Sequence, residues 1–157
     1  MKKTGIHIIG IVVLYALFYG LIYMMAASGQ PLLQKLNVLP KEGSGEEYRD
    51  SFQKWALIVM IISFGATMLW YSLAQWHFRV AIPIAESKRL SWYLWLAVTV
   101  LSAFAAEFLG PRAAVNGHIP TLFYFLGGVG FYWLATALFS PVSYKYTPPG
   151  ASFVRFL

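Results

Sequence analysis

Glu107 is the only acidic residue inside the four long apolar runs of this sequence. A carboxylate within a membrane-spanning helix is costly, so it is read first as a functional group, such as one that relays a proton or a cation. Glu107 stands three residues before Gly110, with Pro111 next. At about 1.5 Å per residue that is close to one helical turn from the end of its run, where Arg112 or His118 could pair with it. A structural role at the membrane boundary therefore outweighs an ion relay, and Glu107 with Arg112 is the candidate intramembrane polar site.

His7 and His77 fall near the ends of the first and second apolar runs, on one predicted side of the membrane. Two histidines on facing helices could ligate a haem, which makes haem b the alternative cofactor reading. Each also sits where an interfacial histidine needs no further explanation, one near Gly5 and the other beside Trp76, while His118 lies on the opposite side. The expectation is no cofactor and no metal site.

The run Gly127, Gly128, Val129, Gly130 invites comparison with phosphate-binding loops, but it lies inside an apolar segment and lacks the Lys and Ser or Thr that such loops need. In a membrane, glycines let another backbone approach closely or permit a local kink. Gly65 and Ala66 in the second run offer a receiving surface. Helical spacing also aligns Trp95, Thr99, Ala103, Ala106, Glu107 and Gly110 on one broad face, whose small residues should turn towards protein. Ala103, Ala106, Gly110, Gly127, Gly128 and Gly130 are thus the candidate helix-packing residues. Nothing resembles a nucleophile with its base, a carboxylate pair or a metal-ligand cluster, so there are no catalytic candidates and the chain is not expected to be an enzyme.

The elements that position these residues follow from composition. Of the 157 residues, 59% are apolar and 11% charged, against about 45–50% and roughly 25% in soluble domains. Cysteine is absent, which excludes disulfides, thiolate metal sites and cysteine nucleophiles. The net charge of +6 comes from basic residues scattered at the ends of apolar runs, a pattern suited to anionic phospholipid and not to nucleic acid.

The apolar runs, none with an internal Lys or Arg, predict an all-α, polytopic membrane protein with four transmembrane helices over about 6–27, 55–76, 90–109 and 119–139. Each has about the 20 residues needed to cross a hydrocarbon core. The basic start and Ala26–Ala27–Ser28 imitate a signal peptide, but the first run exceeds the roughly 7–15 residues of a signal core, and a retained anchor is expected. In the outer loop 28–54, Pro31 followed by Leu32, Leu33, Leu36 and Leu39 predicts a short interfacial helix that Pro40 stops. Ser44 and Glu47 form a capping box, so the second helix should begin outside the membrane. Trp55, Trp70, Tyr71, Trp76, Trp92, Tyr93, Trp95 and Trp133 lie mostly towards segment ends, as aromatic belts do.

Counting Lys and Arg gives seven on the side of the N-terminus, in 1–5, the inner loop 77–89 and the tail 140–157, against five on the other side. The positive-inside rule then puts both termini in the cytoplasm. The tail combines Pro141, Pro148, Pro149 and Gly150 with Tyr144, Tyr146, Phe153 and Phe156, the mixture of an extended arm on a partner or on the membrane surface. No internal repeat is present.

These features lead to the expectation of a single transmembrane domain acting as a non-catalytic structural or assembly subunit of a multi-subunit complex in the bacterial inner membrane, such as a secretion, conjugation or other envelope machine. Its partners would be other integral membrane subunits or copies of itself. The alternatives are a haem- or quinone-binding anchor of an electron-transfer complex, and a small channel or transporter subunit. The last would depend on polar groups at mid-membrane depth, where Ser63, Thr67, Thr99 and Ser102 stand.

Overall fold

A computed structural model describes residues 2–28, 45–73, 85–110, 119–139 and 148–154. The described residues are helical apart from short turns. Helix α1 spans Lys2–Ser28, α2 Gly45–Ser72 and α3 Ala85–Leu109. The last long element is composite: α4, Ile119–Phe125, passes through a π-turn, Leu126–Gly130, into α5, Phe131–Phe139. A short 3-10 turn, Ala151–Phe153, follows.

Three stretches are long and apolar enough to cross a membrane: Asp50–Ser72, Arg89–Leu109 and Thr121–Phe139. Helix α1 adds a shorter apolar stretch, Thr4–Gly20. This is the architecture of an integral membrane protein, in which helices satisfy every backbone group internally where lipid offers no partner. Helix α2 begins at Gly45, immediately after Ser44 and well before the apolar run that starts at Trp55. The segment read as an interfacial helix, from Pro31 to Leu39, lies outside the described residues.

Side-chain contacts give the chain directions. His7, near the start of α1, meets both Tyr71 at the end of α2 and Phe139 at the end of α5. Phe52, early in α2, packs on Phe123 and Tyr124 of α4, while Trp92, early in α3, contacts Tyr132 of α5. Successive long helices therefore alternate in direction.

The interior divides into two clusters. One contains Phe52, Ala56, Val59, Ala103, Ala106 and Tyr124. The other is built around Ile11, Tyr15, Met60, Ala66, Trp70, Tyr71, Trp92, Tyr132 and Ala135. Trp70, Tyr71 and Trp92 are thus buried among helices instead of standing in an outer aromatic belt. Position along a helix measures depth in the membrane, whereas burial depends on which face a residue occupies, and these three face inward. Large apolar side chains such as Ile6, Leu17, Leu94, Leu101 and Phe108 cover the outside, as a lipid-facing surface requires.

Candidate functional site

At the middle of the bundle, three hydroxyls from two helices meet the irregular backbone of a third. Ser63 and Thr67 are one helical turn apart on α2 and therefore share a face, and both are fully buried. Tyr15 of α1 reaches across to them, with its Oη 2.8 Å from Ser63 Oγ and 2.9 Å from Thr67 Oγ1. Ser63 Oγ donates to the carbonyl oxygen of Gly128 at 2.7 Å. Thr67 Oγ1 donates to the carbonyl of Ser63 at 2.9 Å.

The protons in this cluster can be assigned. Carbonyls only accept, so the Ser63 and Thr67 protons are committed to Gly128 and Ser63. The Tyr15 proton is then the one left to serve Ser63 Oγ and Thr67 Oγ1, which share it. Every donor is used inside the cluster. A phenol in an apolar interior needs such a partner, and the arrangement ties α1, α2 and the π-turn at one point.

The π-turn makes this geometry available. A single π-turn inside an α-helix changes the helical register locally, and such turns are frequent at functional sites. Here Gly127 and Gly128 are buried within it. A Cβ on Gly128 would lie 2.9 Å from Val59 Cγ1 and 3.4 Å from the Thr99 carbonyl oxygen. The missing side chain is what lets α2 and the α3 backbone close on the turn. A Cβ on Gly127 would sit 3.1 Å from the Phe18 ring of α1, and Phe18 stacks on Phe131 at 3.7 Å.

A second set of hydrogen bonds joins α3 to α5. Trp92 Nε1 donates to Thr136 Oγ1 at 3.0 Å, and Tyr132 Oη donates to the Trp92 carbonyl at 3.0 Å. Other hydroxyls turn back on their own helices: Thr99 donates to the carbonyl of Leu96, Ser102 to that of Thr99, and Thr136 to that of Trp133. Such back-bonding hides a polar group within an apolar helix. The hydroxyls that sequence reading placed at mid-membrane depth are therefore engaged with protein, either between helices or with the preceding turn.

The other sequence-selected residues are distributed unevenly. Ala103 and Ala106 are fully buried against the Phe52 and Tyr124 side of the bundle. Gly110 donates its N–H to the Ala106 carbonyl at 2.9 Å, and a Cβ there would overlap that oxygen and come within 3.4 Å of Trp55 Cδ1. Gly130 is less confined, with Leu126 Cδ2 at 3.8 Å as its nearest neighbour. The receiving surface for the glycine turn is Val59 and Ser63, not Gly65, which has nothing within 4 Å of a Cβ position. Gly65 is offset in helical phase from the turn-facing residues, while Ala66 is buried in the other cluster.

Glu107 is half-buried on α3. Arg112, His77 and His118 lie outside the described residues. His7 faces protein: its Nδ1 is 3.2 Å from Tyr71 Oη, and its ring lies against Phe139. Among the described residues, no group of three or more His, Cys, Asp or Glu side chains could hold a metal ion.

Tyr15 and the π-turn were missed in the sequence. The available signal for Tyr15 was a phenol near the centre of a charge-free apolar run, where a polar tip must find a protein partner. Comparison with known protein families, curated proteins and solved structures yields no match.

Proposed function

We propose that this chain is a non-catalytic subunit of a multi-subunit complex in a bacterial inner membrane, acting through its packing surfaces. The observation that carries the reading is the closed hydroxyl cluster of Tyr15, Ser63 and Thr67. The protons of this cluster are committed to hydrogen bonds inside the bundle, leaving none of them for a substrate. The small-residue contacts at Ala103, Ala106 and Gly128 serve the same end. The result is a rigid apolar body suited to packing against other integral subunits or copies of itself.

In this reading the chain crosses the membrane four times with both ends in the cytoplasm. The alternating helix directions and the excess of Lys and Arg on that side support the arrangement. A reporter fused after Leu157 should be active only in its cytoplasmic form, and periplasmic activity would overturn the orientation.

Purification in mild detergent, followed by mass spectrometry and a visible absorption spectrum, tests the function. The expected result is a colourless protein with a stable set of co-purifying membrane proteins, or a defined oligomer of the chain. A lone monomer would refute the subunit reading, and a haem absorption band would replace it with the electron-transfer alternative.

A further inference from the structure

Residues 148–154 pack against α5. Pro148 and Ala151 are fully buried, and the Pro149 carbonyl accepts a hydrogen bond from Trp133 Nε1 at 2.7 Å. Gly150 lies flat against the same indole, since a Cβ there would be 3.4 Å from Trp133 Cζ2. Its φ of +76° is a left-handed conformation that glycine adopts readily. The backbone then satisfies itself: the N–H groups of Ala151, Phe153 and Val154 donate to the carbonyls of Pro148, Gly150 and Ala151, each at 3.1 Å.

The docking point sets the depth of this turn. The apolar run 119–139 of the sequence has 21 residues, about 32 Å of helix, which matches a hydrocarbon core of roughly 30 Å. Phe139 ends that run, ahead of Ser140 and Pro141, and sets one edge of the core. Trp133 is six residues before it, about 9 Å further in along the axis, and helical side chains lean towards the N-terminus, here deeper still. A polypeptide turn held against Trp133 lies below the edge of the apolar belt. Non-helical backbone is tolerated at membrane depth where its polar groups are satisfied by protein, which the indole bond and the three turn bonds accomplish.

At the tip of this turn Phe153 is 84% exposed. We propose that residues 148–154 form a re-entrant turn seated at the acyl–headgroup boundary, with Phe153 inserted among lipid chains. Lipid is favoured as the occupant by depth and by charge. The sequence from Ser140 to Leu157 contains Lys145 and Arg155 and no acid, which complements anionic headgroups. The proposal is independent of the subunit reading, because it concerns contact with lipid whether or not other proteins bind.

The absence of cysteine makes the test direct. Phe153→Cys gives a unique thiol at an exposed position, to be spin-labelled in the full chain reconstituted into vesicles of phosphatidylethanolamine and phosphatidylglycerol. Collision with oxygen should exceed collision with a water-soluble nickel chelate several-fold. Introducing Trp133→Phe, which removes the indole donor, or Gly150→Ala, which strains the turn, into the labelled chain should raise nickel access several-fold. Nickel access equal to that of a free aqueous label would overturn the proposal. So would low access to both reagents, which would mean that protein covers the tip.

Discussion

The two halves of the bundle interior are held together by different means. Around Phe52, Ala56, Ala103, Ala106 and Tyr124, helices approach closely because alanines occupy the contact face and aromatic rings fill the space beside them. From mid-span towards Trp92 and His7, hydrogen bonds cross between helices: Tyr15 to Ser63 and Thr67, Ser63 to Gly128, Trp92 to Thr136, and Tyr132 to the Trp92 carbonyl. Lipid tails are as apolar as leucine, so burial of apolar surface adds little to helix association in a bilayer. Close packing and interhelical hydrogen bonds are the two remaining devices, and the interhelical hydrogen bonds named here lie in the second half.

The contrast predicts different sensitivities. The largest effect should come from overfilling the close-packed half. Ala106→Leu places a large side chain where the parent residue is fully buried, and overpacking of this kind costs about 1–3 kcal/mol. Thermal denaturation in detergent should show a clear drop in midpoint. If Ala106→Leu is as stable as the parent, the face does not pack as described.

A comparison of two glycines sharpens the point. Gly128→Ala brings a methyl group within 2.9 Å of Val59 and should destabilise by roughly 1 kcal/mol, at the lower end of overpacking costs. Gly65→Ala meets nothing within 4 Å and should stay within about 0.5 kcal/mol of the parent, as a substitution away from packed features does. Equal responses would remove the distinction between a glycine needed for close approach and one that is not.

The hydrogen-bonded half should respond more gently to single deletions. Interhelical hydrogen bonds in membranes average about 0.6 kcal/mol with a maximum near 1.7. Tyr132→Phe removes the bond to the Trp92 carbonyl and should cost an amount in that range, read from the same denaturation curves. The Phe153 variants should leave global stability nearly unchanged, since that side chain is exposed. Their signal is accessibility.

These differences also explain what could be read from the residues in order. Long apolar runs without Lys or Arg specify helices of membrane length because a lipid core disfavours unpaired backbone and unpaired charge. The face of α3 bearing Ala103 and Ala106 was equally legible, because helical spacing aligns small residues before any tertiary contact is known. The site at mid-span was only half legible. Ser63 and Thr67 stand out as hydroxyls in an apolar run, but Tyr15 was not singled out.

The glycine run was legible as a place of close approach but not as a π-turn. Within that turn Gly128 fits between Val59 and the Thr99 carbonyl, a tertiary fact. Trp92 shows the same limit. Its position predicts the membrane boundary, and only its bond to Thr136 reveals that it faces inward. The tail was read as an extended arm, whereas residues 148–154 form a compact turn held by Trp133, because an indole N–H far along the chain supplies the partner.

The central claim is that the mid-span hydroxyls hold helices together as one cooperative cluster. A double-mutant cycle between Tyr15→Phe and Ser63→Ala, measured as unfolding free energy in detergent, tests it most directly. Both side chains share one proton arrangement, with Oη and Oγ 2.8 Å apart, so the two losses should be non-additive. The expected coupling energy is about 0.5 kcal/mol or more, as found for residues in one hydrogen-bond network. Strictly additive losses, or two variants as stable as the parent, would contradict the account.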